Sequence, residues 1–271
     1  MAILNVTPDS FYDGGTHVDI PSAVKAGLAM ARAGASIIDV GGESTRPGAA
    51  RVAADAQRRR VVPVIAALRE AIDEAGLDTW ISIDTTLADV AAAALDAGAG
   101  MLNDVSAGRE DLAILALAGA RQVPIVLMHM LGEPATMQQN PTYTDVVAEV
   151  KGFLLARARA AAEAGAAASQ IVLDPGIGFG KTLEHNLALL GRLDALTDTG
   201  HPVLLGASRK RFIEHASPAT SRGAEDRLGG TCAATAIAVA AGVRLLRVHD
   251  VGENLQAAEV AHAVRMGHAV R

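Results

Sequence analysis

The sequence IVLDPGIGFGK, residues 171–181, contains the pattern from which the fold can be predicted. Its first three residues are apolar and typical of a buried β-strand, and the fourth is acidic, Asp174. A proline and three alternating glycines follow in residues 175–180, which we call the glycine turn, and they allow a close approach of the backbone to another group. A buried carboxylate needs a hydrogen-bond donor, from the protein or from a ligand. The stretch therefore predicts a strand that carries Asp174 to a polar rim.

The same pattern of strand, turn and helix recurs along the whole chain. We predict strands at residues 2–6, 36–40, 80–84, 100–104, 124–129, 171–174, 202–206 and 243–248. Helices are predicted at residues 21–33, 53–75, 89–97, 112–118, 145–163, 184–196, 225–241 and 254–264. Eight such units in 271 residues predict an α/β fold, a (β/α)8 TIM barrel in a single domain, 1–271. A doubly wound open sheet is the alternative.

The composition restricts the partners and the compartment. The chain has 24 basic and 30 acidic residues, a formal net charge of −6, which argues against nucleic acid or an anionic membrane as a partner. The single cysteine, Cys232, excludes an internal disulfide and favours a reducing compartment. The first residues do not resemble a signal peptide, and the apolar stretch 233–243 is too short to span a bilayer. We therefore expect a cytoplasmic protein.

Polar residues stand at the end of nearly every predicted strand. In a TIM barrel these ends meet on one face and form the active site with the loops that follow. The residues are Asn5, Asp39, Asp84, Asn103, Asp104, His129, Asp174, the segment 208–210, Arg247 and His249. Capping of a following turn is the alternative for Asp39 and Asp104. The set as a whole predicts a binding site at this face.

Two of these residues predict an anion site. Arg247 and His249 are two positions apart on the last predicted strand, so their side chains point to the same side, whereas Asp250 points away. Asn5 on the first strand would neighbour the last strand in a closed barrel. Its amide oxygen could bind a hard metal such as Mg²⁺, which prefers oxygen ligands and is often shared with phosphate. We predict an oxyanion site with Mg²⁺ where these strands meet.

Two polar loops follow the first two strands and are predicted to cover the site. They are NVTPDSFYDGG, residues 5–15, and GGESTRPGA, residues 41–49. Loops rich in Gly, Pro and hydroxyl groups commonly close over a substrate and exclude water. An Asx-turn is the alternative for Asp9 and Asp13.

Several common motifs are excluded. The glycine turn is not a Walker loop, because Pro175 stands where that motif needs its first glycine, and Lys181 breaks a dinucleotide fingerprint. The eight histidines contain no H-x-x-x-H pair, and a G-x-S-x-G nucleophile elbow is missing. His129 is predicted to end a strand beside a packing methionine, Met128 or Met130, rather than to bind a metal.

Eight motifs in order resemble the bacterial dihydropteroate synthase family. They are NVTPDSF (5–11), DVGGESTRPGA (39–49), SIDT (82–85), NDVSAG (103–108), LMHM (127–130), DPGIGFGKT (174–182), GASRK (206–210) and RVHDV (247–251). The resemblance covers the whole chain. It implies a TIM-barrel transferase of folate biosynthesis, a sulfonamide target that joins 6-hydroxymethyl-7,8-dihydropterin diphosphate to p-aminobenzoate with Mg²⁺. It also implies a homodimer, for which residues 233–241 are our candidate contact surface.

The resemblance also implies roles for individual residues. The pterin would be bound by Asp84, Asn103, Val105, Met128, Asp174, Phe179, Gly206, Lys210 and Arg247. The diphosphate would be bound by Asn5, Thr45, Arg46, Arg247 and His249, with Mg²⁺ on Asn5. The p-aminobenzoate would be bound by Thr45, Pro47, Phe179, Lys210 and Arg211. The catalytic residues would be Asp84, Lys210, Arg247, His249, Asp9 and Asp13.

Two departures and two alternatives accompany this resemblance. Arg211 stands where many members have serine, and the chain begins directly at the first strand, whereas members usually carry a leading segment. One alternative is the related pterin-binding barrel of methyltetrahydrofolate methyltransferases, which has no diphosphate to bind. The other is a catalytically silent paralogue that only binds pterin.

Overall fold

The computed structural model describes residues 1–7, 12–13, 17–44, 51–132, 136–218 and 223–268. Its strands are β1 (Ala2–Asn5), β2 (Tyr12–Asp13), β3 (His17–Val18), β4 (Ile37–Gly41), β5 (Trp80–Asp84), β6 (Met101–Asp104), β7 (Ile125–Met128), β8 (Ile171–Asp174), β9 (Leu204–Leu205) and β10 (Leu245–Leu246). Its α-helices are α1 (Ile20–Arg32), α2 (Ala54–Glu74), α3 (Ala88–Asp96), α4 (Ala113–Arg121), α5 (Val146–Glu163), α6 (Leu183–Gly191), α7 (Asp194–Thr197), α8 (Arg211–Ala216), α9 (Leu228–Ala240) and α10 (Val251–Met266).

Eight parallel strands close into a barrel. Six of them form a sheet in the order β1-β4-β5-β6-β7-β8, and β9 pairs with β10. A bridge between Leu173 and Val203 joins β8 to β9, and a bridge between Ala2 and Val248 joins β10 back to β1. The predicted TIM barrel is therefore confirmed, and the open doubly wound sheet is wrong.

The differences from the predicted elements lie mainly in the last third of the chain. The helix predicted at 184–196 is two helices, α6 and α7, because the backbone leaves the helical region at Arg192. The short helix α8 was not predicted. Strands β9 and β10 have only two residues each and are shorter than predicted. The reason is that each is joined to its other neighbour, β8 or β1, by a single bridge and not by a continuous ladder. Strand β2 lies inside the first predicted loop, and its antiparallel partner β3 lies just after it.

Side chains alternate between the inside and the outside of the barrel. An interior apolar layer contains Met101, Val126, Val172 and Leu204, with Ile37 and Leu245 packed against it. The main core lies between the strands and the helices and includes Leu127 and Leu173. Each strand then presents its next inward residue one layer above the apolar one, so polar residues such as Asp174 lie over an apolar floor. Among the described residues, the longest apolar helices fall short of what a membrane crossing requires.

Candidate functional site

The carboxyl ends of the strands bring an ion-pair network together. The Arg247 guanidinium, just beyond β10, donates from Nε to Asp39 Oδ2 at 2.6 Å and from Nη2 to Asp84 Oδ2 at 2.7 Å. Asn103 on β6 donates from Nδ2 to the same Asp39 oxygen at 2.9 Å. Hydrogen bonds between ionised groups are the strong ones in proteins. The last strand is thus tied to β4, β5 and β6 across the top of the barrel.

The network carries more negative than positive charge. Burial raises the pKa of Asp84 to about 7, although the Arg247 charge opposes this shift. Burial on its own lowers the pKa of Arg247, but Asp39 and Asp84 raise it above its ordinary value. The guanidinium stays charged, and within the described part of the chain its Nη1 donates to no other group. Arg247 therefore keeps donors for a ligand while two carboxylates hold its plane.

Asp39 was predicted among the strand-end residues of the site, with capping of a turn as the alternative, and the capping role is wrong. Its side chain is completely buried, and it faces the barrel interior beside Ser82, its register partner on β5. Asp39 Oδ1 makes no hydrogen bond with the described residues. For Asp104 the capping role is confirmed, because its carboxylate accepts from Ser106 N at 2.8 Å and from Gly108 N. The alternation of side chains along a strand was the available signal. It places Asp39 on the inward face of its strand, whereas a capping residue would belong to the turn.

The glycine turn folds back against β7, and this close approach requires its glycines. Gly176 and Gly180 have positive φ angles of 63° and 62°. A Cβ at Gly176 would lie 2.0 Å from the carbonyl oxygen of His129, and one at Gly180 would lie 2.6 Å from that of Leu131. Gly176 N donates to Asp174 Oδ1 at 2.7 Å, and Gly178 N donates to Asn186. These two amides are therefore occupied, which agrees with the exclusion of a phosphate cradle.

Asp174 and Lys210 face each other across Gly206. A Cβ at Gly206 would lie 3.9 Å from Lys210 Nζ and 4.0 Å from Asp174 Oδ2, so glycine leaves this position open. Burial raises the pKa of Asp174, and the Lys210 charge opposes the shift. Burial lowers the pKa of Lys210 to about 8, and Asp174 opposes it. The Lys210 ammonium donates to Ile177 O.

One wall of the pocket is apolar and polarisable. Phe179 packs on a cluster of Val105, Met128, Met130 and Met137. The Lys210 ammonium lies 4.5 Å above the centre of the Phe179 ring, within the range of a cation–π contact. Val105, Met128 and Phe179 were predicted from the resemblance, whereas Met130 and Met137 were not assigned to the site. This wall suits the face of a planar ring.

The residues predicted to form an anion site lie at the seam between the first and last strands. His249 Nδ1 is 3.0 Å from Ser208 Oγ, and that hydroxyl also accepts from the His249 backbone amide. Asp250 points elsewhere and pairs with Arg209. On β1, the Asn5 amide oxygen lies beside Gly41, opposite Asp84, at 3.7 Å from where a Gly41 Cβ would stand. The seam thus gathers an amide oxygen and an anchored imidazole near Arg247.

Other predicted residues are not brought into this arrangement by the described structure. Asp9, Thr45, Arg46 and Pro47 lie outside the described residues, and Asp13 belongs to β2. Arg211 begins α8 directly after Lys210, and its side chain is exposed. His129 is buried, as predicted for a strand end. Its ring contacts Lys181, a partner that was not predicted.

Comparison with known proteins agrees with this geometry. The family profile described as pterin binding enzyme matches residues 1–249. The dihydropteroate synthase of Synechocystis sp. is 45% identical over 268 residues, covering 97% of this chain and 89% of that protein. The structure of Yersinia pestis dihydropteroate synthase with a sulfonamide drug complex has a TM-score of 0.88 at 40% identity, covering 98% of this chain and 93% of that one. The Xanthomonas albilineans dihydropteroate synthase with 4-aminobenzoic acid has a TM-score of 0.87 at 45% identity, covering 97% and 92%. The chain therefore belongs to the dihydropteroate synthase family of pterin-binding enzymes.

Proposed function

We propose that this protein condenses 6-hydroxymethyl-7,8-dihydropterin diphosphate with p-aminobenzoate, giving 7,8-dihydropteroate and diphosphate. The observation that carries the proposal is the pocket in which Asp174 and Lys210 face each other across Gly206, beside the wall formed by Phe179. Its shape admits a planar ring, and its charged groups lie at the ring's edge.

The pterin edge matches the polar groups of the pocket. Its 2-amino-4-oxo edge carries several donors, and Asp174 Oδ2 is the acceptor that faces the opening, since Oδ1 already accepts from Gly176. Asn103 and Lys210 complete the recognition, with Asp84 at another edge of the ring. Val105 and Met128 contact one face with Phe179, and the planar Arg247 guanidinium stacks on the other. Lys210 exchanges its bond to Ile177 for one to the ligand.

The reaction is a substitution at the methylene carbon beside the pterin. The carbon–oxygen bond to diphosphate breaks, a carbon–nitrogen bond to the aryl amine forms, and the amine then releases a proton to water. Positive charge develops on the pterin and negative charge on the leaving group, so electrostatic stabilisation is the main catalytic contribution. Asp84 and Asp174 stabilise the pterin cation, while Arg247, Lys210 and His249 offset the negative charge. Because the aryl amine is already neutral, a strong base is unnecessary.

The diphosphate is proposed to bind at the seam between β1 and β10. Its ligands are Asn5, Arg247 and His249, joined by Thr45 and Arg46 of the second loop. Among the described residues, His, Cys, Asp and Glu form no group of three that could hold a metal ion. Asn5 supplies a single neutral oxygen, which fits a Mg²⁺ ion that takes its other ligands from diphosphate and water. When bound, Mg²⁺ would offset charge on the leaving group.

Diphosphate with Mg²⁺ is expected to raise the thermal midpoint of unfolding. A ligand present at about 100 times its dissociation constant stabilises the native state by about 2.7 kcal/mol, which corresponds to a shift of about 5 °C or more. The measurement is differential scanning calorimetry with diphosphate, MgCl2 or both. Asn5→Ala should lose the part of the shift that depends on Mg²⁺. An unchanged midpoint at saturating diphosphate would remove the anion site from this seam.

The p-aminobenzoate is proposed to bind nearer the mouth of the pocket. Phe179 and Lys210 lie at the inner end of this position, and the exposed Arg211 guanidinium is the candidate partner of the carboxylate. Thr45 and Pro47 of the second loop would contact the aryl ring, and Asp9 and Asp13 of the first loop would close over it. Closure excludes water, which would otherwise capture the pterin cation. The KM for p-aminobenzoate of Arg211→Ala tests the role of that side chain.

The decisive experiment is a product assay. The protein is incubated with 6-hydroxymethyl-7,8-dihydropterin diphosphate, p-aminobenzoate and MgCl2, and 7,8-dihydropteroate is measured by liquid chromatography. We expect product in proportion to enzyme. A methyltransferase-type barrel and a silent pterin-binding paralogue both predict no product, so a blank result with folded protein would refute the proposed function.

The assembly is proposed to be a homodimer of single-domain chains, residues 1–271. Helices α9 and α10 pack together and share an outward apolar face of Ala233, Ile237, Ala240, Val260 and Val264. Ile237 is 49% exposed and Val264 is 79% exposed, which favours a protein partner over solvent. A monomeric wild type in sedimentation velocity would contradict this.

The proposed cytoplasmic location rests on the single cysteine and is tested by cell fractionation.

A further inference from the structure

The backbone of the glycine turn is held largely by side chains. Five consecutive carbonyl groups, from residue 176 to residue 180, accept hydrogen bonds from side-chain donors. The pairs are Gly176 and Phe179 with Lys181, Ile177 with Lys210, Gly178 with Gln138, and Gly180 with Tyr143. Two of the five carbonyl groups accept from the same donor, the amino group of Lys181. This residue has no part in the proposed reaction or in the proposed substrate contacts.

Lys181 is unusual because its amino group is buried, and this burial lowers its pKa to about 7, with the Asp174 charge opposing the shift. The side chain is 3% exposed. Its Nζ donates to Gly176 O at 2.9 Å and to Phe179 O at 2.9 Å, and it lies 3.0 Å from His129 Nδ1. Nζ also lies 3.4 Å from His129 O, so the three N–H donors of the protonated amine meet acceptors on three residues, Gly176, Phe179 and His129. Lysine is rarely buried in this way unless its donors are satisfied.

The imidazole of His129 is suited to accept from this ammonium. Burial, together with the charges of Lys181 and Arg109, lowers the pKa of His129 to about 3, so the ring is neutral. A neutral ring with its proton on Nε2 presents an unprotonated Nδ1 to Lys181. His129 directly follows β7, and its backbone amide donates to Asp174 O at 2.9 Å. Lys181 therefore connects the turn after β8 to the end of the neighbouring strand.

The two carbonyls held by Lys181 flank groups that face the pocket. Gly176 is the residue whose N–H donates to Asp174 Oδ1 and so orients that carboxylate. Phe179 carries the ring beneath the Lys210 ammonium. The Lys181 amino group bonds to the carbonyl oxygens of both residues. Removing it would leave the Phe179 carbonyl and the His129 imidazole without this donor in a buried place, and Gly176 O would keep only its bond from Phe179 N.

We propose that Lys181 is a positioning residue for pterin recognition, which ties the glycine turn to β7 and so holds Asp174 and Phe179 in their binding arrangement. The inference rests on the proposed function, because the pterin is the ligand whose affinity it concerns. Lys181 touches neither substrate nor reacting atoms. Its effect is therefore expected on pterin affinity and not on the diphosphate seam.

The test compares two ligands on three proteins. Wild type, Lys181→Met and Lys181→Gln are titrated by calorimetry at 15 °C with 6-hydroxymethylpterin and, separately, with diphosphate and MgCl2. Lys181→Met removes all three donors and is expected to weaken pterin binding about 30-fold or more, whereas Lys181→Gln keeps an amide donor and is expected to weaken it about tenfold. Diphosphate affinity is expected to stay within about twofold of wild type, because its ligands lie across the barrel.

Controls separate positioning from general loosening of the fold. Lys25→Met removes an exposed lysine from α1 and should leave both affinities unchanged. In the product assay, the Lys181 variants should raise the KM for the pterin substrate more than they lower kcat. If Lys181→Met does not fold, as judged by circular dichroism, Lys181→Gln decides the question.

Three outcomes would overturn an assignment. Folded Lys181 variants with wild-type pterin affinity would overturn this inference. Equal losses of pterin and diphosphate affinity would also overturn it, since they would indicate a role in the fold only. Failure of the wild type to bind 6-hydroxymethylpterin would instead contradict the proposed function, so the two failures are distinguishable.

Discussion

Asp174→Asn is expected to lower kcat/KM for the pterin substrate by about 1000-fold, or about 4 kcal/mol of transition-state stabilisation. The reason is geometric. Gly176 N donates to Asp174 Oδ1, so the amide oxygen of asparagine will take that position and its NH2 group will face the pocket. A donor would then meet the donor edge of the pterin. When a site is built to hydrogen-bond one edge of a ligand, the loss of the matching group on either side greatly lowers the reactivity of that ligand.

The same change should leave the fold intact. Burial raises the pKa of Asp174, which means that the ionised carboxyl is costlier to hold in the native state than in the unfolded state. An uncharged isostere avoids the desolvation of the carboxylate, so the thermal midpoint should equal that of wild type or exceed it. Asp194→Asn is the matched control, because Asp194 pairs with Arg192 on the surface and its variant should retain full activity. Activity of Asp174→Asn within tenfold of wild type would exclude the proposed pterin contact.

Arg247→Leu is expected to abolish measurable turnover and to destabilise the protein. The guanidinium is the partner of both Asp39 and Asp84, and its loss leaves two buried carboxylates without a cation. Removing one partner of a buried ion pair costs about 3–5 kcal/mol, which corresponds to a fall of about 10 °C in the thermal midpoint. The exposed pair of Arg192 and Asp194 provides the control, since Arg192→Leu should cost less than about 1 kcal/mol.

The pH dependence of this variant has a definite sign. In wild type, burial raises the pKa of Asp84 to about 7, above its ordinary value of 3.8. A carboxyl whose pKa is raised on folding stabilises the native state most at low pH, and that contribution is lost as pH rises toward the folded pKa. Without Arg247 the raised pKa moves further up, so the variant should be closer to wild type in stability at pH 5.5 than at pH 8. Arg247→Leu with Asp84→Asn should recover stability at pH 8 but not turnover. Equal deficits at both pH values would refute this explanation.

Much of the barrel could be predicted because its signals are local. Strands β5 and β8 have the predicted bounds, 80–84 and 171–174, since each is an apolar run that ends in aspartate. The last strands were overestimated because barrel closure, a tertiary effect, decides how many of their residues pair. The helix 184–196 divides at Arg192, where helical periodicity continues across a break in the backbone.

Candidate site residues were predictable when they stood at strand ends, but their partners were not when only the closed barrel brings the two residues together. Asp39 precedes two glycines and locally resembles a capping residue, yet its partner Arg247 is 208 positions away. Lys181 belongs to a glycine-rich motif in which a lysine suggests a phosphate ligand. Its burial against His129 follows from the packing of two strands and has no local sequence signal. Met137 contacts Phe179 from an irregular loop, where periodicity offers no guidance.

The apolar layer formed by Met101, Val126, Val172 and Leu204 makes the pocket a cup with a single opening. This shape implies an order of binding for the two proposed substrate positions. With the pterin placed against the bottom at Asp174 and p-aminobenzoate at the mouth, the pterin enters first, and the product leaves through the same opening. A compound that lodges in the mouth therefore blocks both loading and unloading, even if it never touches the floor.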